Sequence, residues 1–454
     1  MTNILSHRNR SLRATFWRRD DIRLARFAIE ATPPMGHPLC GGWIKPVEGV
    51  DDPLSLRGLV VLGAGDPVVL ATLDATGLLN RDHVAFCERL ARAVGTTPQR
   101  VALHCVHQHN AVFFDRDAHR LVQHAGLEPT AGIMDPAHLD DLMNRAEAAA
   151  RRSLAQARVV ARFSAARSEV ERIASNRRIL GPEGTVVGIR FSSTRDPALR
   201  DAPEGVIDRE MNVWAFHDAD GNPLARVSFY AVHPMSYYGD GRVSADFVGL
   251  ARCRRDWEEP GVLHLCFTGA AGNITAGKYN DGLKRRRGEL TDRYHDALRR
   301  ADAEADARAV PLARLDWSVA DLMLPPRTDL DPERLRATIA DATLSPAERH
   351  RAALAASWVE RCRQSVPISL GTLRINNAVG LFLPGETFVE YQLDAKARRP
   401  DLEVAVAAYG DGGPWYIPLA RSFREGGYEP TVAFVGPEAE QPYRAAIVAQ
   451  LDAV

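Results

Sequence analysis

The chain has 454 residues, 45% of them hydrophobic and 25% charged, a balance that can bury a large core without help from disulfides. Its 57 Lys and Arg offset 58 Asp and Glu, which argues against nucleic acid or another polyanion as the main partner. No window approaches the roughly eighteen continuous apolar residues of a membrane span, and Met1 to Asp21 lack the apolar stretch of a signal peptide. The expectation is a cytoplasmic protein without stable membrane insertion, and nothing in the composition opposes a homo-oligomer.

In chain order, Leu59 to Leu62 and Val68 to Ala71 are β-rich runs flanking the turn Gly63-Ala64-Gly65-Asp66, which predicts a hairpin. Asn80 to Val94 has helical spacing, Val101 to Val106 has strand composition, and Pro136 to Ala157 places Leu139, Leu142, Met143 and Ala146 on one helical face. A second hairpin joins Met211–Phe216 to Leu224–Val232 through Asp218-Ala219-Asp220-Gly221-Asn222-Pro223, and Val262 to Phe267 forms another strand. Helices are expected at Lys284 to Ala305 and Pro346 to Gln364, separated by Pro325-Pro326. Ser369 to Leu383 and Val404 to Ala408 read as strands, and Glu438 to Val454 as a closing amphipathic helix.

The basic run Lys284-Arg285-Arg286-Arg287 is answered by Glu289, Asp292 and Asp296 and reads as a solvated helix start. Six dispersed cysteines (Cys40, Cys87, Cys105, Cys253, Cys266, Cys362) read as buried, reduced thiols. With no internal repeat, low-complexity linker or charge block, residues 1–454 are expected to form one α/β domain of mixed β-sheets flanked by helices.

Chemistry is concentrated at three strand ends. His107 and His109, two apart on a strand, would project from one face toward a metal or a polar pocket, although polar residues at a strand end give the same pattern. His104, nearer the strand middle, reads as a hydrogen-bonded core histidine. His233 follows Val227 to Val232, and Glu386 follows Val379 to Leu383 after Pro384-Gly385. Two imidazoles and a carboxylate suit a catalytic zinc; Glu386 reads equally as an N-cap or a surface charge.

Along nearly its whole length the sequence resembles the catalytic domain of the neutral (non-lysosomal) ceramidases. The resemblance runs through Glu30-Ala31-Thr32-Pro33-Pro34-Met35-Gly36, Ala71-Thr72-Leu73-Asp74, His107-Gln108-His109-Asn110, Asn176-Arg177-Arg178, Ala231 to Ser236, Ser244-Ala245-Asp246, Pro384-Gly385-Glu386, and Tyr416 with Tyr428-Glu429. It implies zinc ligation by His107, His233, Glu386 and Tyr416. His109, Arg177 and Tyr428 would surround the reacting carbonyl, with His109 carrying the proton and the other two facing the oxyanion. Thr275 stands where the family has a serine beside the metal; its hydroxyl would either hydrogen-bond substrate or serve the loop.

Three departures concern the substrate. Asn110-Ala111-Val112 and Gly272 to Gly277 differ from the family's loops, and against the family pattern the expectation is a protein without the immunoglobulin-like domain after Tyr428 and without an export signal. The resemblance therefore implies hydrolysis of an N-acyl or cyclic amide smaller and more soluble than ceramide. Ester or lactone hydrolysis, transacylation and a lyase step are the alternatives on the same scaffold.

Overall fold

The structure, a computed structural model, describes residues 22–63, 65–127 and 132–454. The N-terminal segment Met1 to Asp21, on which the leader reading rests, and Ala64 of the first turn lie outside the described residues. No helix among the described residues is long and apolar enough to cross a membrane.

Three units of the same topology build the molecule. In the first, β1 (Arg23–Glu30), β2 (Ser55–Gly63) and β3 (Gly65–Leu73) form an antiparallel meander; helix α1 (Asn80–Val94) then leads to β4 (Val101–Cys105), parallel to β3. After α2 (Arg116–His124), α3 (Pro136–Ser153) packs back on β1. The second unit repeats this order with β5 (Arg162–Glu169), β6 (Glu210–His217), β7 (Pro223–Tyr230), α4 (Asp246–Glu258), the parallel strand β8 (Leu263–Thr268), and α5 (Arg285–Ala307) lying on β5.

The third unit begins at β9 (Leu315–Leu322) and inserts helices α6 (Pro332–Ala340) and α7 (Pro346–Arg363) before β10 (Ile368–Ile375) and β11 (Ala378–Phe382). Helix α8 (Val389–Arg398) leads to the parallel β12 (Glu403–Ala407), and α9 (Glu440–Asp452) returns to β9. The α/β class is as expected, with mixed sheets and covering helices. The expected absence of a repeat does not survive at the level of topology. What repeats is strand order and crossover, which many apolar sequences satisfy, so no residue pattern exposes it.

The three sheets turn one face toward each other. Leu59 and Val61, Trp214 and Phe216, Leu373 and Phe382 share one apolar cluster; the alternate residues, such as Val60, Val213 and Leu381, join the larger core that also takes in the helices. Burial on both faces explains why these strands read as continuous apolar runs rather than alternating ones. Ser369 to Leu383 proves to be a hairpin, because Asn376 adopts a left-handed conformation (φ 51°) that turns β10 into β11. The thiols are all free, but Cys253 is exposed and Cys362 only partly buried, so the expectation of six buried thiols fails at those two sites. Arg287 also departs from a solvated role. It is buried, donates to Ser236 Oγ at 3.0 Å and to the Tyr237 carbonyl at 3.0 Å, and stacks over the Tyr237 ring at 3.7 Å.

His104 stands where the three units meet, 5.5 Å from the rings of both Phe267 and Phe382, and its Nδ1 donates to the Ala408 carbonyl at 2.7 Å. Burial pushes its pKa down from 6.5 to about 3. A base whose folded pKa is depressed favours the neutral fold. That stability is complete above the unfolded value of about 6.5 and is lost as pH falls toward about 3, at about 1.4 kcal/mol per pH unit. Between pH 7.5 and 5 the melting temperature of the wild type should therefore fall further than that of His104→Asn, which keeps a donor for Ala408 but cannot ionise. Equal falls would remove His104 from the acid response.

Candidate metal centre

The carboxyl ends of the parallel strands bring the candidate residues together, as expected of ligand sites in α/β sheets. His107 lies two residues beyond β4, His233 three beyond β7, and Glu386 four beyond β11. The histidine pair is not on a strand, which corrects the simple geometric expectation. β4 ends at Cys105, and His107 takes a left-handed backbone (φ 72°), strain that persists where surroundings over-determine it. The loop is held by the His107 amide on the Ala75 carbonyl at 2.9 Å.

Two rings are locked by backbone carbonyls. His107 Nδ1 lies 2.6 Å from the Thr76 carbonyl, and His233 Nδ1 lies 2.7 Å from Ala271 and 3.0 Å from Ile274 carbonyls. A carbonyl only accepts, so each Nδ1 carries the proton and each Nε2 presents a lone pair. Both lone pairs face one carboxylate oxygen: Glu386 Oε2 is 3.4 Å from His107 Nε2 and 3.1 Å from His233 Nε2. His109 completes the group, with Nε2 3.4 Å from His107 Nε2.

Burial pushes His233 down to about 4, so it is neutral near pH 7, and burial likewise drives His109 well below its ordinary value. Burial raises the Glu386 carboxyl, and only positive charge or a donated proton beside it, from the His107 and His233 rings when protonated or from a cation among them, holds it well below the usual carboxylate range. Lone pairs from neutral rings and an ionised carboxylate repel one another unless a cation sits among them. The donor set, with its second ring nitrogens tied to carbonyls, fits a metal of borderline softness such as zinc.

Glu386 is buried rather than a surface charge, and the loop around it is tight. A Cβ on Gly272 would lie 2.2 Å from the Glu386 carbonyl, and one on Gly385, which takes φ 54°, would lie 2.6 Å from the Trp415 carbonyl. A two-stranded parallel ladder pairs Glu386 with Tyr416. The Tyr416 hydroxyl accepts from Arg177 Nη1 at 3.1 Å, and Arg177 Nη2 stands 3.4 Å from His233 Nε2. Arg177 stacks between the rings of Tyr416 (5.7 Å) and Tyr428 (5.6 Å), and Glu429 lies 3.7 Å behind it. Tyr428 is half-buried beside the exposed Phe191 ring at 5.6 Å, and the exposed Tyr238 ring packs on His109 at 5.4 Å.

Seven of the eight residues expected at the site thus form one contact network. The eighth, Thr275, is buried nearby in the loop, donating to the Arg190 carbonyl at 3.2 Å and accepting from the Gly277 amide at 3.2 Å. Asn110 accepts from the Gly239 amide at 3.2 Å and steadies the loop carrying Tyr238. Gln108 is fully buried, and its amide has no protein partner among the described residues.

Two residues of the site carry no sequence expectation. Tyr409 stacks on His107 at 4.3 Å with its hydroxyl 3.4 Å from His233 Nδ1, and Cys40 Sγ lies 3.4 Å from His109 Nδ1. Tyr409 lies two residues beyond β12, as His107 does beyond β4, so the strand-end rule that selects His107 and Glu386 would also have selected it. A second acid–histidine group, Glu259, His264 and Asp302, is threaded by the guanidiniums of Arg226 and Arg255, which supply the positive charge a metal would bring.

No protein-family model matches the chain, and no curated protein is significantly similar to it. Among solved structures, the neutral ceramidase from Pseudomonas aeruginosa superposes with a TM-score of 0.67 at 16% identity, over 95% of this chain and 74% of that one. A ceramidase complexed with C2 gives a TM-score of 0.67 at 17% identity, over 95% and 75%. The chain has a neutral ceramidase-like fold.

Proposed function

We propose that the protein is a zinc-dependent amide hydrolase that deacylates an N-acyl or cyclic amide smaller and more soluble than ceramide. One observation carries the reading: two histidines with carbonyl-locked Nδ1 and a buried carboxylate converge through lone pairs. The likeness to ceramidases supports the bond class. His107, His233 and Glu386 would hold zinc, with Tyr416, paired to Glu386 on a short parallel ladder, joining them. When bound, zinc supplies Lewis acidity toward the amide carbonyl and toward water.

The remaining residues divide the work by their contacts. His109 differs from its two neighbours because its Nδ1 faces the Cys40 thiol, a group able to donate or accept weakly, rather than a carbonyl. Its tautomer is therefore not fixed, and it can take the proton of the attacking water and pass it to the leaving nitrogen. Arg177 and Tyr428 would hydrogen-bond the carbonyl oxygen as its charge grows, and the partial burial of the site strengthens those bonds.

Metal analysis of the purified protein should give about one zinc per chain, and a panel of short N-acyl amides should be cleaved to acid and amine. A chain purified without zinc that also fails to take it up would sink the reading. Zinc with cleavage of esters or lactones alone would move the assignment to that neighbouring class. His109→Gln should retain zinc while lowering kcat about 10²–10⁴-fold. A variant of undiminished kcat would leave His109 without a proton-transfer role.

A further inference from the structure

His109 has three buried neighbours and one exposed one. The rings of His107 and His233 lie 5.0 and 6.2 Å from its own, Cys40 Sγ lies 3.4 Å from its Nδ1, and all three residues are buried. The fourth neighbour is Tyr238, whose ring stands at 66° to the imidazole with centroids 5.4 Å apart and which is 44% exposed. Of these four Tyr238 alone borders solvent, so a group that approaches His109 past it meets an aromatic ring.

The loop that carries this ring is pinned at four points. The Ser236 amide donates to Asp246 Oδ2 at 3.0 Å, Arg287 to the Tyr237 carbonyl at 3.0 Å, the Gly239 amide to Asn110 Oδ1 at 3.2 Å, and the Glu48 amide to the Gly241 carbonyl at 2.8 Å. Gly239 takes φ 97°, a conformation that a residue with a Cβ rarely adopts, so the turn just beyond Tyr238 is set by the backbone itself. The two adjacent tyrosines differ in what covers them. Arg287 lies over the Tyr237 ring at 3.7 Å and Lys284 at 5.6 Å, whereas among the described residues no guanidinium or ammonium stacks on Tyr238. A ring held in place before a ligand arrives loses little freedom when one packs on it.

Resting on the amide-hydrolase reading, we propose that Tyr238 sets specificity for the leaving amine, and that this amine carries a planar aromatic ring. As the C–N bond breaks, His109 passes the proton of the attacking water to the leaving nitrogen, so the substituent on that nitrogen lies beside His109 and against Tyr238. Contact between two aromatic rings contributes beyond the area they bury, which separates an aryl group from a saturated ring of the same size. Arg177 is the cation whose charge reaches the Tyr238 hydroxyl, and it disfavours an ammonium group in that place.

Two amides of matched size test this. With the zinc-loaded protein, N-hexanoylbenzylamine should be preferred about fivefold in kcat/KM over the amide of hexanoic acid with cyclohexylmethylamine. Tyr238→Leu should bring that ratio close to unity through KM, while Tyr238→Phe, which keeps the ring, should retain it. Phe191→Leu is the control. Its ring packs on Tyr428 at 5.6 Å, on the side of the carbonyl oxygen, and the ratio should survive its loss. General damage to the site would lower turnover of both amides together and leave their ratio unmoved. No preference in the wild type, a preference that survives in Tyr238→Leu, or an equal fall in Phe191→Leu would each overturn the proposal. If neither amide is cleaved, the enzymatic reading fails, and calorimetric titration of the same two intact amides into the same variants still decides the role of Tyr238.

Discussion

Glu386→Gln should lose bound zinc almost completely and lower amide turnover by about 10³-fold or more, with the fold retained. The carboxylate is the one anion that both locked imidazoles face, at 3.4 and 3.1 Å. Glutamine keeps its volume, so the tight loop at Gly272 and Gly385 need not move. It replaces the charge with a neutral amide, and either end of that amide serves the site badly. Its NH₂ would fill a lone pair meant for the metal, and its carbonyl is a far weaker ligand than an ionised carboxylate. Even residues one shell removed from a zinc typically change affinity 10–100-fold, so a direct ligand sets a larger effect. Removing the metal forfeits its several kcal/mol of transition-state stabilisation, hence the expected fall in turnover. Metal content by elemental analysis, turnover, and a circular dichroism spectrum check the three parts. Full zinc occupancy in the variant would remove Glu386 from the ligand set.

What the sequence disclosed of this site followed from strand ends. The apolar runs that end at the site are unambiguous because β4, β7 and β11 are buried on both faces, so their termini, and the polar residues just beyond them, stand out. His107, His233 and Glu386 were legible in that way, and the motif order added Arg177, Tyr416 and Tyr428. The left-handed turn at His107 was not, because neither its neighbours nor its side chain dictates φ; the Ala75 and Thr76 carbonyls do. Cys40 was hidden for the same kind of reason, since it gains meaning only from a ring supplied by a distant segment, whereas Tyr409, just beyond β12, was within reach of the strand-end rule. Arg287 looked solvated because local sequence shows its acidic neighbours on α5 but not the buried loop at Ser236 and Tyr237 that it holds. The threefold topology is invisible in sequence because strand pairing depends on backbone groups common to all residues.

One of the motifs that resemble the ceramidases, the strand ending at Asp74, braces the site rather than forming it, and it yields the second strong expectation. Asp74, one residue beyond β3, receives Arg252 of α4 in a bidentate pair at 2.8 and 2.6 Å, and accepts the Ser55 amide and hydroxyl at 2.8 and 2.9 Å. Both side chains are sealed from solvent, with exposures of 0% and 1%. Arg252→Met should destabilise the protein by about 3–5 kcal/mol, the usual cost of leaving one buried charge unpaired. Asp74→Leu/Arg252→Met should be closer to the wild type than Arg252→Met, because no orphan charge remains. Burial raises the Asp74 carboxyl but Arg252 lowers it further, so in the wild type the pair stabilises above the unfolded value near 3.8 and is lost as pH falls below it. In Arg252→Met burial is opposed only by Arg57 and the Ser55 hydrogen bonds, the carboxyl protonates more readily, and the destabilisation should be smaller at pH 5 than at pH 8. Denaturant midpoints at the two pH values test both statements; a double variant as unstable as the single one would mean that packing of the arginine stem, not charge, sets the cost. Asp74 lies two residues before Thr76, whose carbonyl fixes the His107 ring. The same titrations with zinc present should therefore show metal binding retained in folded Arg252→Met, at lower affinity, since the brace acts on the position of a ligand and not on its chemistry.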